Sequence, residues 1–393
     1  MPSKTKRKTA ATRKKPQRVD VTPLFKEESK PEWKPDSIES HRVRMDRINL
    51  EILKLLSERA SHANEIGRIK HSSGVAVYLP AREREVIEGM LAANPGPLAP
   101  DHIARIYTEI ISACRALEHV PRVAYLGPEH TYSHEAARGA FGGSVEFAPQ
   151  ASFAGVFQEV QNGRADFGVV PIENSTEGQV KEVLDLLIDT PLVIISEILQ
   201  PVRHALMSLD GDPAKVRRIV SHQQSLGQCR GYLSSNFADR ELEAVASNAL
   251  AAQRAAQDAA LGAIASRAAA EAYGLQVIAE NIQDLAQNTT RFLVIGMRAV
   301  PKSGRDKTTI LFAVPDKVGA LNAALNIFAK SKINISKIES RPLRGRSWEY
   351  LFFVDLEGHS DDPRVKRALT ALKDRTLFLK VAGSYPEARS SMG

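Results

Sequence analysis

Basic residues at helical spacing are the first feature of this sequence that could do chemistry. Arg59 and Lys70 lie eleven positions apart in a segment whose apolar residues recur every three or four positions. At about 100° per residue, that spacing leaves two side chains only about 20° apart around a helix and about 16 Å apart along it, so both could converge on one anion. Arg offers carboxylates a planar fork, and Lys offers a point charge. The spacing alone is also compatible with solvated charges on a long helix.

A third basic residue, Arg42, lies seventeen positions before Arg59, roughly 100° round the helix and about 25 Å away. It cannot easily serve the same ligand within one chain, but in an antiparallel dimer it could reach the partner's pocket. The surrounding sequence predicts three helices, at about 39–71, 81–93 and 101–119. The first is long for a globular protein, which predicts that it pairs with another chain.

Three segments of this helical region resemble the all-helical chorismate mutase class: HRVRMDRINLEILKLLSERASHANEIGRIK (41–70), PAREREVI (80–87) and IYTEIISACRALE (106–118). The resemblance implies an intertwined dimer that rearranges chorismate to prephenate. This unimolecular reaction needs no nucleophile or metal, because fixing the reactive conformer and stabilising charge on the breaking ether bond suffice.

The same resemblance implies roles for individual residues. Arg59, with Arg42 from the other chain, would bind the two carboxylates, and Lys70 would hold the ether oxygen and a carboxylate. Glu83 would take the substrate hydroxyl. The remaining implied site residues are Arg82, Cys114 and Glu118.

Three positions depart from the pattern of the class. Cys114 stands where Ser is common, and Leu79 replaces a residue that is polar in some members. Glu118 stands where Gln is common. A glutamate can donate a hydrogen bond to the ether oxygen only when it is protonated, so Glu118 requires a raised pKa.

The sequence between residues 121 and 300 alternates short β runs with helical stretches, which predicts an α/β sheet domain, either single or two-lobed with a cleft. Helices are predicted at 152–162, 179–189, 225–237 and 249–273. Strands are predicted at 122–127, 145–149, 167–172, 192–198, 217–222, 276–280 and 291–296.

Four polar segments lie at the ends of these predicted strands, where open α/β sheets bind ligands. Each one alone fits ordinary turns and helix caps. Together they resemble the prephenate dehydratase family. The segments are YLGPEHTYS (125–133), GVVPIENSTEG (168–178), SHQQSLGQC (221–229) and NTTRF (288–292).

This second resemblance implies that prephenate loses carbon dioxide and its C4 hydroxyl to give phenylpyruvate. Thr290 would assist departure of the hydroxyl, Arg291 would help bind substrate, and Phe292 would shape the pocket. Because a threonine hydroxyl is a weak acid, we expect Thr290 to act within a network. The other implied substrate contacts are Asn174, Ser175, Thr176, Ser221 and Gln228.

Several residues of this region invite other interpretations. His130 and Tyr132 stand where the family usually has Gly and Phe. His130 and His134 mimic a metal-binding pair, but the second histidine of a zincin motif is missing, so no metal is predicted. Cys229 could be imagined as a nucleophile, and we predict instead a packed small hydrophobic residue.

After a polar linker at 301–306, residues 307–386 follow the ferredoxin-like order β-α-β-β-α-β. DKVGALNAAL (316–325) and IESRP (338–342) resemble the ACT amino-acid sensor domain, although a domain of this topology without a ligand is the alternative. The resemblance implies a phenylalanine effector site between two chains. Its implied residues are Gly319, Ala320, Leu321, Glu339, Ser340, Arg341 and Pro342.

The charge of the chain is concentrated at one end. Of the formal +7 over 393 residues, residues 1–18 carry +8 with no acidic residue, which leaves −1 for the rest. We predict a disordered basic tail over residues 1–38, with a nucleic-acid arm or a transit peptide as alternatives. No apolar run is long enough for a membrane span, and two cysteines without CxxC spacing favour a reducing compartment, the cytoplasm.

The sequence therefore predicts a multidomain enzyme: an all-α chorismate mutase domain at 39–120, a two-lobed α/β dehydratase domain at 121–300 and an α+β ferredoxin-like ACT domain at 307–386. We expect a homodimer or a higher even oligomer that needs no cofactor and binds neither nucleic acid nor membrane. Neither a GxGxxG motif nor a Walker loop is present, which disfavours a nicotinamide-linked prephenate dehydrogenase. Two alternatives stay open: an arogenate dehydratase as the second activity, and a catalytically decayed amino-acid sensor.

Overall fold

The computed structural model describes residues 37–73, 78–342 and 350–388. Nearly all of the predicted basic tail, as well as residues 348 and 349 of a predicted strand, therefore lie outside the described residues. The chain divides into two compact units, one ending at Ser57 and one beginning at Glu58. Within the described ranges, no helix combines the length and the apolarity that crossing a membrane requires.

The N-terminal region is helical, as predicted. Its helices are α1 (Ile38–Ser73), α2 (Pro80–Ala93) and α3 (Pro100–Glu118). Pro80 and Pro100 each open a helix, where the missing N–H of proline costs no hydrogen bond. Large apolar side chains of α1 are exposed to solvent in this chain: Met45, Ile48, Ile52, Leu53, Leu55, Ile66 and Ile69.

The first lobe of the α/β region has a mixed sheet in the order β2-β1-β3-β11-β5, with β4 paired to β3. Strands β1 to β3 run parallel, whereas β11 is antiparallel to both β3 and β5. The start of β11 therefore lies beside the end of β3. The elements are β1 (Arg122–Leu126), α4 (Tyr132–Phe141), β2 (Glu146–Gln150), α5 (Phe153–Gln161), β3 (Phe167–Asn174), β4 (Gly178–Gln179), α6 (Lys181–Asp189), β5 (Val193–Pro201) and β11 (Thr289–Gly296).

The second lobe has its own sheet, in the order β10-β6-β9-β7-β8. The two lobes predicted as one possibility are thus observed. The elements of this lobe are β6 (Ala205–Ser208), β7 (Arg218–His222), α7 (Gln223–Gln228), α8 (Arg230–Asn236), β8 (Glu241–Val245), α9 (Asn248–Ala255), β9 (Leu261–Ala265), α10 (Arg267–Tyr273) and β10 (Gln276–Ala279).

The prediction of one continuous alanine-rich helix at 249–273 is wrong, because α9, β9 and α10 occupy this range. Strand β9 interrupts it, and every residue of β9 is buried at the centre of the second sheet. Ser266 then caps a new helix by accepting a hydrogen bond from the Ala269 N–H. Alanine favours helices intrinsically, but a small side chain also suits a crowded central strand, and here tertiary packing decides.

The C-terminal domain has the predicted β-α-β-β-α-β order, with an antiparallel sheet β13-β14-β12-β15. Its elements are β12 (Asp306–Ala313), α11 (Ala320–Lys330), β13 (Ile335–Pro342), β14 (Tyr350–Glu357), α12 (Pro363–Lys373) and β15 (Phe378–Pro386).

Both faces of this C-terminal sheet are buried. Along β12, Ile310 and Phe312 pack with helices α11 and α12 of the same domain. The alternate residues Leu311 and Ala313 join the hydrophobic core of the first α/β lobe. Alternation along a strand sends successive side chains to opposite faces, so one strand serves two cores. The C-terminal domain and the dehydratase region therefore share a core.

Candidate active sites

A cavity of about 400 Å³ lies among the helices of the second unit. Its apolar side is formed by residues such as Ile66, Val86 and Ile111, which suits a carbon ring. Its polar side brings together most of the residues predicted for the mutase site. Among them are Arg59 and Lys70, which lie eleven positions apart on α1. The polar lining residues are Arg59, His62, Lys70, Arg82, Glu83, Cys114, Arg115 and Glu118.

Glu118 presents an unusual carboxyl group to this cavity. Its Oε2 is buried and has no hydrogen-bond partner among the described residues. Burial raises the pKa of Glu118, while the positive charges of Lys70 and Arg115 oppose the rise. Helix α1 approaches closely here, because Gly67 has no side chain to collide with Glu118. A carboxyl group held in this way favours its protonated form, as a hydrogen-bond donor to an ether oxygen must be.

Glu83 is also buried, and burial raises its pKa against the opposing charge of Arg115. The Arg115 guanidinium donates to Glu83 Oε1 at 2.6 Å and to the Phe141 carbonyl at 2.5 Å, and it lies over the Tyr78 ring at 5.3 Å. Arg115 thus links α3 to α2 and to the first α/β lobe. Arg115 was not predicted from the sequence, although it lies between the two predicted residues Cys114 and Glu118.

The remaining predicted mutase residues are placed as follows. Arg59 Nη1 lies 2.8 Å from Cys114 Sγ, which orients the guanidinium in the cavity. Arg82 lines the cavity, but its exposed guanidinium pairs with Glu85 at 2.6 Å. Arg42 belongs to the first unit, where its exposed side chain lies 3.7 Å from Glu39.

A second cavity, of about 470 Å³, lies between the two α/β lobes. No Lys or Arg occurs among the described residues that line it. Instead, the caps of two helices, Thr131 of α4 and Ser247 of α9, line the cavity. Backbone N–H groups at helix starts favour anions. We expected cationic side chains in both pockets. Among the described residues, they line the helical pocket only.

Thr290 lines this cleft and belongs to a hydrogen-bonded chain. Its Oγ1 accepts from Asn174 Nδ2 at 2.8 Å, because the start of β11 pairs with the end of β3. Asn174 Nδ2 also donates to Asn288 Oδ1 at 2.8 Å, and Asn288 Nδ2 donates to Gln228 Oε1 at 3.0 Å. Gln228 lies in the second lobe, so the chain crosses the cleft.

The direction of the hydrogen bond to Thr290 is fixed by its neighbours. Asn174 Oδ1 accepts from the backbone N–H groups of Thr176 and Glu177 at 3.0 and 3.1 Å. The amide nitrogen of Asn174 must therefore face Thr290. Because the threonine oxygen accepts this bond, its hydrogen is available to an oxygen atom of a ligand in the cleft.

Three predicted contact residues do not line the cavity, and two of them, Ser175 and Thr176, support the hydrogen-bonded chain instead. Thr176 accepts from Gln228 Nε2 at 3.1 Å. Ser175 binds the Thr289 N–H at 3.0 Å and so holds β11 in register. Ser221 is fully buried and donates to the Ile264 carbonyl at 2.7 Å. Three further polar residues were not predicted from the sequence. His204 and Asn248 line the cleft, and the buried Asn288 bonds to Asn174 and Gln228.

Arg291 and Phe292 are placed away from the cleft. Phe292 is buried in the core of the first lobe, behind the site. Arg291 pairs with Glu197 at 2.7 Å and with Asp355 of the C-terminal domain at 2.6 Å. Neither residue lines the cavity, and Arg291, which follows Thr290 directly in β11, points to the opposite face of the strand. Arg291 thus lies outside the lining of the cavity in this structure, and its contact with substrate stays a prediction.

The residues that invited other interpretations have structural partners. Cys229 is fully buried, and burial raises the pKa of its thiol to about 12, which is unsuited to a nucleophile. His130 takes a left-handed backbone conformation with φ of 62°, and its N–H donates to His134 Nδ1 at 3.0 Å. Across the parts of the chain that the structure describes, no three His, Cys, Asp or Glu side chains are grouped as metal ligands.

The two predicted effector motifs lie in the C-terminal domain. Gly319, with φ of 80°, precedes α11, whose first two residues are Ala320 and Leu321. Glu339, Ser340, Arg341 and Pro342 end the edge strand β13. Arg341 reaches the dehydratase region, where it donates to Asp185 and to the Lys181 carbonyl, both at 2.6 Å.

Fold and sites together define a class: a three-domain enzyme with two separate pockets for small anions and a C-terminal domain of the ligand-sensing type. Family models match in the same order: Chorismate mutase type II at residues 41–119, Prephenate dehydratase at 123–300 and ACT domain at 308–374. A bifunctional chorismate mutase/prephenate dehydratase of Aquifex aeolicus is 45% identical over 357 residues, which cover 90% of this chain and 99% of the relative. The chain belongs to the bifunctional chorismate mutase/prephenate dehydratase family, and both predicted enzymatic activities are confirmed.

Solved structures match the dehydratase and C-terminal parts. The prephenate dehydratase of Arthrobacter aurescens, in complex with L-Phe, is 32% identical with a TM-score of 0.62, covering 68% of this chain and 90% of that one. A protein described as a quorum-quenching acylase of a novel type matches with the same TM-score and identity, covering 68% of this chain and 98% of that one. The predicted order of fold classes is confirmed.

Proposed function

We propose that the helical cavity rearranges chorismate to prephenate by means of Arg59, Lys70 and Glu118. Glu118 supports this assignment, since it has a buried oxygen without a partner among the described residues and lines the same cavity as Arg59 and Lys70. The cations bind the carboxylates, protonated Glu118 donates to the ether oxygen, and Glu83 accepts from the ring hydroxyl. The carbon–oxygen bond breaks as a new carbon–carbon bond forms.

The cleft between the α/β lobes converts prephenate to phenylpyruvate. The ring carboxylate leaves as carbon dioxide, and its bonding electrons enter the ring as the C4–oxygen bond breaks. The hydroxyl group leaves with the electrons of the C4–oxygen bond, takes up a proton and becomes water. Thr290 is the hydrogen-bond donor to this oxygen, and the helix starts of α4 and α9 bind the carboxylates. The observation that carries the proposal is the direction of the Asn174–Thr290 bond, which aims a hydroxyl hydrogen at a ligand.

Phenylalanine is the effector that we propose for the C-terminal domain. A solved relative carries L-Phe, and the Gly319–Leu321 and Glu339–Pro342 motifs are both present at element boundaries. We also propose domain limits at 39–120, 121–300 and 307–386, and action in the cytoplasm, which agrees with the two buried free thiols.

The exposed apolar side chains of α1 support a homodimer in which Arg42 enters the partner's mutase cavity. This helix exposes more large apolar residues than a monomer normally does. Light scattering of the purified chain tests this assembly, and a monomer mass at working concentrations would contradict it.

The function is tested by supplying chorismate to the purified full chain, identifying the products by mass, and repeating the assay with phenylalanine. In the variant Thr290→Val, phenylpyruvate formation should fall by about 100-fold or more, because the donor to the leaving oxygen is lost. Prephenate should then accumulate at the wild-type rate of chorismate consumption.

Thr289→Val is the matched control, since it removes a neighbouring hydroxyl that does not line the cleft. Full phenylpyruvate formation by Thr290→Val would refute the assignment of Thr290. Assays with arogenate in place of prephenate decide between the two dehydratase substrates, and we expect faster turnover of prephenate.

A further inference from the structure

His204 is a buried histidine that the proposed chemistry has not used. It is 1% exposed and lies just before β6, at the edge of the cleft. Its Nδ1 lies 3.0 Å from the Tyr132 hydroxyl, and its Nε2 lies 2.9 Å from Gln228 Oε1. Tyr132 belongs to the first lobe, whereas His204 and Gln228 belong to the second. Both ring nitrogens therefore have partners, one in each lobe.

The role of each ring nitrogen follows from the groups around Gln228. The Gln228 side-chain nitrogen lies 3.1 Å from Glu177 Oε1, and an ionised carboxylate only accepts hydrogen bonds. The amide oxygen of Gln228 must then face the other way, toward Asn288 and His204. Nε2 of His204 is therefore the donor. Burial lowers the pKa of His204, which favours the neutral ring, so Nδ1 carries no hydrogen. Nδ1 faces the Tyr132 hydroxyl, which also donates to the Arg203 carbonyl at 2.7 Å.

His204 is thus connected to Thr290 by four hydrogen bonds, and in each of them the donor and the acceptor are fixed. His204 and Asn288 both donate to Gln228 Oε1, and Asn174 donates to Asn288 and to Thr290. If the donor at His204 were lost, Gln228 Oε1 would be held by Asn288 alone, and the Gln228 side chain could shift away from Asn288. Asn288 would lose its acceptor, and the chain that aims Thr290 would loosen.

We propose that His204 is a positioning residue for the dehydratase reaction, which holds Gln228 across the closed cleft so that the Thr290 hydroxyl stays aimed at the leaving oxygen. This inference rests on the proposed role of Thr290. It assigns to His204 no contact with the reacting atoms. Its effect is therefore on the rate of the chemical step rather than on the binding of substrate.

A matched pair of substitutions tests the proposal. Gln in place of His204 can put an amide nitrogen near the Nε2 position and keep the donor to Gln228. Asn is one methylene shorter, so it keeps a polar group near Tyr132 and loses that donor. We expect His204→Asn to lower kcat for prephenate roughly ten- to hundredfold with KM changed less than about threefold. His204→Gln should stay within about threefold of the wild type.

The mutase reaction of the same chain serves as the internal measure of folded enzyme. The quantity compared is the ratio of dehydratase kcat to mutase kcat in one sample, which corrects for any loss of folded protein. An unchanged ratio in His204→Asn, a His204→Gln ratio as low as that of His204→Asn, or an effect on KM alone would overturn the proposal. If Thr290→Val is inactive while His204→Asn is fully active, only the role of His204 fails.

Discussion

At the scale of single residues, the proposed role of Glu118 as a hydrogen-bond donor predicts how the mutase reaction depends on pH. Burial raises the pKa of this carboxyl, so its donor form persists to higher pH than in an ordinary glutamate and is lost as the pH rises through the raised value. Mutase kcat should therefore fall on the alkaline side. In Glu118→Gln, whose amide donates at every pH, this fall should disappear.

The measurement is the kcat of chorismate consumption from pH 5 to 9 for both proteins. The dehydratase reaction, measured with prephenate as the substrate, is the control. Its pH profile should be the same in the wild type and in Glu118→Gln. Identical mutase profiles would mean that another group sets the pH dependence.

Residue types and motifs predicted which side chains line the pockets better than they predicted what those side chains touch. Arg59, Lys70 and Glu118 meet at one cavity, as their spacing and the resemblance indicated. Arg291 follows Thr290 in the same motif, yet it pairs with Glu197 and Asp355 outside the cleft. That outcome depends on alternation along β11 and on a neighbouring domain, neither of which a linear motif contains.

At the scale of elements, the mutase cavity depends on how closely α1 approaches α3. A Cβ at Gly67 would overlap the Glu118 side chain. Gly67→Ala should therefore displace Glu118 and lower mutase kcat/KM at least about tenfold, because misplacement of a group at the reaction centre is costly. Alanine favours helix over glycine by about 1 kcal/mol, so α1 itself should persist.

Gly89→Ala in α2 is the matched control, since nothing lies within 4 Å of an added Cβ there. It should leave both activities unchanged. Equal mutase activity in Gly67→Ala and Gly89→Ala would show that Glu118 tolerates displacement. Dehydratase activity should be unaffected in both.

The sequence predicted long, periodic elements to within a few residues and failed where tertiary packing overrides propensity. The three N-terminal helices show helical periodicity, and two of them, α2 and α3, start at a proline. Strand β9 lies in an alanine-rich run, and only its central position in the second sheet makes it a strand. The neighbouring strands β6 and β7, which pair with β9, cannot be identified from the sequence around β9 alone.

At the scale of the whole molecule, Arg291 holds the dehydratase region and the C-terminal domain together. Glu197 and Asp355 are both less than 5% exposed, and Lys307 also pairs with Glu197 at 2.9 Å. In Arg291→Met the Asp355 carboxylate stays buried without its guanidinium. Removal of one partner of a buried ion pair should lower the free energy of unfolding by roughly 3–5 kcal/mol.

Urea unfolding measures this loss. Arg267→Met, which breaks ion pairs on an exposed arginine, is the control and should cost about 1 kcal/mol or less. A stable Arg291→Met with a raised KM for prephenate would instead support the contact between Arg291 and substrate that the sequence motif predicted.

The contact between β15 and β5 has a consequence for how an effector signal could travel. Gly383 lies directly on the backbone of Ile194, so closely that no side chain would fit between the two strands. Strand β5 is hydrogen-bonded to β11, which begins with the residues around Thr290. At this contact, no side chains lie between the two backbones that could absorb a movement of the C-terminal sheet. The backbone of β15 would push directly on the backbone of β5, and β5 is paired with β11, the strand that contains Thr290.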